Sequence, residues 1–156
     1  MAQMKFLGCL FVAILLLVPL TSAKSTGFSY CNKKTDYAVK VSGLEINPYP
    51  ISRSKNTSFE ISATTSEAIS DGKLVIGVSY FGWHIHDEDH DLCKETSCPV
   101  SVGDFVVSHS QVLPGITPPG SYSLKMTMED GKKKQLTCIT FDFSIGFIAE
   151  ENLADM

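Results

Sequence analysis

The chain has 156 residues, a formal net charge of −4 and 44% hydrophobic residues. That is long and apolar enough for one domain with a real core, and too acidic for a nucleic-acid binder. The only basic run, Lys132-Lys133-Lys134, lies beside a turn signal and reads as a solvated hairpin tip rather than a headgroup contact.

The first segment reads as a targeting signal. Lys5 precedes an almost wholly apolar run from Phe6 to Leu20, and Thr21-Ser22-Ala23 supplies small residues for cleavage. Residues 1–23 are therefore expected to be a signal peptide and residues 24–156 the mature domain. The run is short for a membrane span, and no second one follows. Cys9 and Lys5 leave with it, so four cysteines and a charge of −5 remain.

From there the hydrophobic pattern has period two, which puts alternate side chains on one face of a sheet. Tyr37, Val39 and Val41 alternate with small or polar residues, and a short strand follows at Leu44 to Ile46. Asn47-Pro48-Tyr49-Pro50 breaks the chain. Asn56-Thr57-Ser58 is an N-glycosylation acceptor opening a further strand, so Asn56 should be exposed. In that strand Phe59, Ile61 and Ala63 point one way. Asp71-Gly72 precedes a strand with Leu74, Ile76, Val78 and Tyr80 in phase, and Trp83 to Asp91 then reads as a polar loop. A strand is expected at Phe105 to Ser108. After the Pro- and Gly-rich stretch from Pro114 to Gly120, Tyr122, Leu124, Met126 and Met128 share a face. Asp130-Gly131 marks a hairpin into a last strand with Ile139, Phe141, Phe143 and Ile145 in phase. Ala149 to Met156 reads as a frayed acidic tail. No stretch has a helical period, so six or seven short strands predict an all-β sandwich of two antiparallel sheets. An ordinary immunoglobulin domain fits poorly, because the lone Trp83 stands 52 positions after Cys31 instead of shortly after it.

The four remaining cysteines are Cys31, Cys93, Cys98 and Cys138. An even number behind a secretory signal reads as a disulfide framework, and four cysteines allow three connectivities among which sequence does not choose. The preferred set is Cys31–Cys138, stapling the opening segment to the closing strand, with Cys93–Cys98 pinning a loop at the sheet rim.

The most chemically loaded stretch is Trp83-His84-Ile85-His86-Asp87-Glu88-Asp89-His90-Asp91. Three readings apply: a solvated loop as the default, a rim that takes up protons near neutral pH, or a zinc or copper site. No metal is assigned. Covalent catalysis finds no Gly-x-Ser-x-Gly elbow, no His-Glu-x-x-His helix and no phosphate loop. His109, between Ser108 and Ser110, reads as a strand end rather than a triad member. No catalytic residue and no cofactor are assigned.

The ordered set of features resembles a known family. A Cys31 near the mature start is followed by Gly43-Leu44-Glu45-Ile46-Asn47-Pro48, the sequon and Asp71-Gly72-Lys73-Leu74-Val75-Ile76-Gly77-Val78. Then come Cys93…Cys98-Pro99, the Tyr122 to Met126 strand, Glu129-Asp130-Gly131 and Leu136-Thr137-Cys138-Ile139. This is similar to the ML lipid-recognition domains: Niemann–Pick-type sterol carriers, phosphatidylglycerol/phosphatidylinositol transfer proteins and plant relatives, among which a plant member is expected. The resemblance implies an immunoglobulin-like β-sandwich with a lipid cavity between its sheets, the two disulfides preferred above, and non-enzymatic carriage of one sterol or phospholipid. It also implies transient membrane contact and a secreted, apoplastic or vacuolar/lysosomal location; the expected state is a monomer. The inward residues that would touch lipid are Phe59, Ile61, Val78, Tyr80, Tyr122, Leu124, Met126, Ile139, Phe141 and Phe143; the plain alternative for each is core packing. Pro114 to Pro119 and the Trp83 loop would form the rim. The sterol carriers close a small loop after the first strand with a third disulfide. Here Asn47 to Ser52 has no cysteine, so the rim and ligand class can differ. An adhesion or lipid-presenting module, and an extracytoplasmic metal carrier using the His-rich stretch, are the alternatives.

Overall fold

A computed structural model describes residues 23–146; the expected signal peptide and acidic tail lie outside the described residues, apart from Ala23. The elements are β1 (Lys24–Ser25), β2 (Ser29–Tyr30), β3 (Val39–Asn47), β4 (Asn56–Thr65), β5 (Gly72–Tyr80), β6 (Trp83–Asp91), α1 (Leu92–Glu95), β7 (Gly103–Val112), β8 (Gly120–Asp130) and β9 (Gln135–Ile145). They form two antiparallel sheets, β1-β3-β4-β7 and β2-β9-β8-β5-β6. The inner faces pack together: Phe59 of β4 lies 6.1 Å from Phe141 and 6.2 Å from Phe143 of β9, ring centre to ring centre. The sandwich expected from alternation is the fold.

Alternation explains the burial. Phe59, Ile61 and Ala63 are buried while their neighbours Glu60, Ser62 and Thr64 are exposed. Leu74, Ile76, Tyr122, Leu124, Met126 and Met128 close the other side. The segments Val39–Val41 and Leu44–Ile46, read as two strands, are one. The pairing slips between Val41 and Gly43, and this bulge inserts one residue and moves the buried set from odd to even positions.

Three expectations need correction. Trp83–Asp91 is not a loop; it pairs with β5 from Lys73↔Asp91 to Tyr80↔Trp83 as the outer strand of its sheet. Its residues are exposed apart from the half-buried Glu88 and His90, so no apolar alternation betrays it. The strand expected at Phe105–Ser108 extends over Gly103–Val112. A four-residue helical turn, α1, follows β6; the Asp91 carboxylate accepts from the Cys93 N–H and caps it.

The two disulfides are Cys31–Cys138 and Cys93–Cys98. β2 lies beside β9, with Tyr30 opposite Ile139, and this brings Cys31 to Cys138. Both bridges sit toward the end of the sandwich that holds the β4–β5 connection, α1 and the β8–β9 hairpin. An isolated bridge between Ile69 and Val100 ties that end further. The opposite end, formed by the β3–β4, β5–β6 and β7–β8 connections, carries no disulfide among the described residues.

Candidate functional site

The ten residues proposed from sequence to touch lipid meet between the sheets. Eight are buried, and Val78 and Tyr80 are half-buried toward the unstapled end. In the stapled half of the interior, the space lined by Ile61, Met126, Ile139, Leu74, Met128 and Thr137 among others is about 10 Å³, room for about one water at most. The reason is the size of the inward side chains, since Phe59 alone reaches both Phe141 and Phe143. Within this apolar lining the Thr137 hydroxyl is buried without a hydrogen-bond partner. A wider hollow of about 970 Å³ lies outside the sandwich, between the Cys93–Cys98 loop and β7. It is an open surface groove with mixed lining, not an interior chamber.

From the unstapled end an aromatic series leads inward. Phe81 meets Tyr80 edge-on at 4.7 Å, Tyr80 lies 4.9 Å from Tyr122, and Tyr122 stacks on Phe143 at 5.4 Å with planes 13° apart. Phe143 then meets Phe59. The two tyrosine hydroxyls donate to the β7–β8 connection, Tyr80 to the Pro119 carbonyl at 2.8 Å and Tyr122 to that of Pro118 at 2.7 Å. Burial, reinforced by Tyr80, pushes the Tyr122 phenol above the usual tyrosine range; Arg53 opposes this.

The same end exposes large apolar side chains: Phe81 at 62%, Trp83 at 79% and Ile116 at 93%. The rim expected from Pro114–Pro119 and Trp83 is thus gathered at one end, held by the Tyr80 and Tyr122 bonds and by the Phe81 N–H bond to the Ser121 carbonyl. Phe81 sits at φ 47° and Gly82 at φ 82°, the turn between β5 and β6. Asn56 is exposed at the start of β4, at this same end.

Arg53, in the β3–β4 connection, escaped the sequence reading. Its guanidinium donates to the Gly146 carbonyl at 3.0 Å, while its Nε is buried with no partner. Nothing in Ser52-Arg53-Ser54 distinguishes it from any surface arginine; its place depends on β9 ending beside it.

The imidazoles do not behave as one loop. His84 pairs with Asp87 at 3.1 Å on the exposed surface. His86 lies 3.3 Å from Glu88, and His90 3.1 Å from the other oxygen of Glu88. His109 is not a strand end. It is buried within β7, 3.3 Å from Glu95 of α1, with its ring 4.5 Å from that of His90 and 6.3 Å from that of Phe59. Burial pushes its imidazole below the usual histidine range; Glu95 pulls the other way, and His90 adds to the lowering.

Comparison with known proteins agrees with this architecture. The family model described as the ML domain matches residues 25–145. The chain is 32% identical over 118 residues to a Dictyostelium discoideum protein named for phosphatidylglycerol/phosphatidylinositol transfer, covering 73% of this chain and 81% of that one. It is 32% identical over 126 residues to an Arabidopsis thaliana MD-2-related lipid-recognition protein, covering 73% and 74%. Among solved structures it resembles a Niemann-Pick type C2 protein from Japanese carpenter ant, with a TM-score of 0.61 and 16% identity over 77% of this chain and 99% of that one.

Proposed function

The chain belongs to the ML domain family, and on that premise we propose that it binds one lipid between its sheets and passes it between membranes without breaking a bond. The observation that carries this is the pairing of an apolar interior with an apolar-tipped end that, among the described residues, no disulfide closes. Each buried CH₂ of an acyl chain contributes about 0.8 kcal/mol. A chain of a dozen or so such groups gives enough to part the inner faces at that end, where the side chains of Val78, Tyr80 and Tyr122 give way first. Phe59, Ile61, Leu124, Met126, Ile139, Phe141 and Phe143 then line the deeper part. The packing seen, with a void of only about 10 Å³ beside Met126 and Ile139, is the closed form in this scheme, with side chains occupying the place of the lipid tail.

The ligand class favoured is a phospholipid rather than a sterol. Arg53 stands at the mouth with an unpartnered buried Nε, and a guanidinium matches phosphate oxygens in geometry and charge. Relatives named for phosphatidylglycerol/phosphatidylinositol transfer agree with that choice. Phe81, Trp83 and Ile116 rest on the membrane during exchange, as aromatic and apolar side chains do at a bilayer interface. The protein acts as a monomer in the secretory pathway or beyond it, where its two disulfides persist, with a glycan on Asn56.

The test is lipid extraction of the secreted protein with mass spectrometry, followed by transfer of labelled phosphatidylglycerol and phosphatidylinositol between vesicles. One phospholipid per protein is expected. Val78→Glu, placed nearer the surface, and Met126→Lys should abolish uptake in folded protein. Retained uptake in either folded variant removes the lipid from this interior, and an extract containing only sterol overturns the headgroup assignment.

A further inference from the structure

The inner phase of β6 is polar from His86 to His90, where that of its neighbour β5 is apolar. Opposite Val78, Ile76 and Leu74 stand His86, Glu88 and His90, so these three face the same side of the sheet as the core residues. There Glu88 and His90 meet His109 of β7 in the other sheet, and between β6 and β7 lies α1 with Glu95. The side chains are withdrawn from water: Glu88 and His90 are 27% exposed, Glu95 13% and His109 6%.

His90 has a carboxylate on both ring nitrogens, Glu88 3.1 Å from Nε2 and Glu95 3.8 Å from Nδ1. Glu95 also faces Nδ1 of His109 at 3.3 Å. A neutral imidazole carries one proton and satisfies one of its two neighbours. If Nδ1–H of His90 turns to Glu95, the Nε2 lone pair points at the Glu88 carboxylate, and a proton or a metal ion stands between them. Two carboxylates and two imidazoles thus share this half-buried seam.

We propose that Glu88, His90 and His109 bind one divalent transition-metal ion of the zinc class. The ion would clip the outer strand of one sheet to the outer strand of the other. One donor atom from each of the three lies within 4.8 Å of the others. Bonds of about 2.0–2.1 Å at tetrahedral angles need donors about 3.3 Å apart, which side-chain rotation supplies. Two imidazoles with a carboxylate are a donor set for zinc and its neighbours, not for calcium or magnesium, which take oxygen. Glu95 then plays the outer part, accepting from the Nδ1–H of both histidines and fixing their Nε2 lone pairs on the ion, while His86 holds the second oxygen of Glu88. A dication cancels the two carboxylate charges. His84, paired with Asp87 on the surface, stands apart. This inference is independent of the lipid reading.

The experiment is calorimetric titration of the chelator-stripped secreted protein with Zn²⁺ at neutral pH, repeated with cobalt(II) to read the geometry from its colour. One saturable site is expected, with a rise in thermal midpoint because only folded protein assembles it. Glu95→Gln should weaken binding about 10–100-fold, and Glu88→Gln and His90→Gln by more. His84→Gln should leave it unchanged. Should His109→Gln fail to fold, Glu88→Gln and His90→Gln decide the matter, since both side chains are partly exposed. The proposal is overturned if there is no saturable binding, which leaves a proton between His90 and Glu88. It is equally overturned if binding survives His90→Gln and Glu88→Gln intact, or is lost as readily in His84→Gln.

Discussion

Phe59 of β4 and Phe143 of β9 meet edge to face across the two sheets, ring centres 6.2 Å apart, and Phe143 also stacks on Tyr122. This contact closes the aromatic series that begins at the surface with Phe81. Replacing Phe143 by Ala removes a ring the neighbouring rings cannot replace, and should cost about 3–5 kcal/mol, read as a fall in urea midpoint at unchanged slope. Under the proposed function the same variant should take up lipid faster, because there is less to displace. A transfer rate that falls in step with stability would argue that the lipid enters elsewhere.

The two bridges should differ in worth. Cys93–Cys98 spans 5 residues and Cys31–Cys138 spans 107. In the chain-entropy account these correspond to about 2 and about 5 kcal/mol. Denaturant melts of the paired Ser variants should rank in that order. Loss of Cys31–Cys138 frees β2, a two-residue strand whose sheet neighbour among the described residues is β9 alone, so its amide protons should exchange first. Equal losses would mean that the unfolded chain is not what the long bridge restrains.

Legibility followed the inner phase of each strand. β5, β8 and β9 place Leu74, Met126 and Phe141 in unbroken alternation and could be read directly. β3 came out as two pieces because the slip after Val41 shifts the phase. β6 was hidden, since an inner phase of His86, Glu88 and His90 mimics a loop, although the backbone pairs along its whole length. β7 was seen only in its middle: exposed Val106 and Val112 blur the alternation. The apolar interior was legible for the same reason as the strands. Arg53 and His109 were not, because one gains its meaning from the end of β9 and the other from Glu95 and His90. Those neighbours belong to topology rather than local pattern. The disulfide pairing was open for the same reason, and β2 lying beside β9 settles it.

Gly120 should resist substitution. Its φ is 138°, and a Cβ there would stand 2.8 Å from the Phe81 ring and 3.1 Å from that of Tyr80. Gly120→Ala thus combines backbone strain with displacement of the outermost aromatic pair, at about 1–3 kcal/mol. Near-ultraviolet circular dichroism should show the loss of the Tyr80–Phe81 contact, and an unchanged spectrum with unchanged midpoint would count against the close approach.

Tyr122 gives the chain an alkaline limit. In the unfolded chain its phenol ionises near pH 10; folded, it is held neutral to higher pH by burial while donating to Pro118. Below about pH 10 both states keep the proton and stability does not vary through this group. Above it the unfolded state loses its proton first, and stability falls as pH climbs toward the folded value. Tyr122→Phe should cost about 1 kcal/mol at pH 8 for the missing hydrogen bond. The gap between variant and parent should then narrow above pH 10, because only the parent pays for keeping a phenol neutral. Urea midpoints at pH 8 to 11 test this, and a constant gap would remove Tyr122 from the alkaline response.

Ile116, Trp83 and Phe81 share the unstapled end and are the most water-exposed large apolar groups near it, Ile116 at 93%. A monomeric protein exposes single apolar side chains freely, so exposure alone decides nothing; their common position around the aromatic series does. Removing a large apolar side chain fully from water is worth about 1.5–3 kcal/mol, and about 1.4 kcal/mol is tenfold in affinity. Ile116→Ser with Trp83→Ser should therefore lower vesicle affinity at least about tenfold and slow transfer accordingly. Stability should barely change, because neither side chain belongs to the core. Under the proposed function a lipid loaded beforehand should be retained, since both substitutions lie outside the inner lining. A variant that docks normally but has lost its lipid would place the binding site at this rim rather than between the sheets, whereas one that keeps both docking and transfer would send the membrane contact to another face, with Lys132-Lys133-Lys134 at the stapled end the next to be tested.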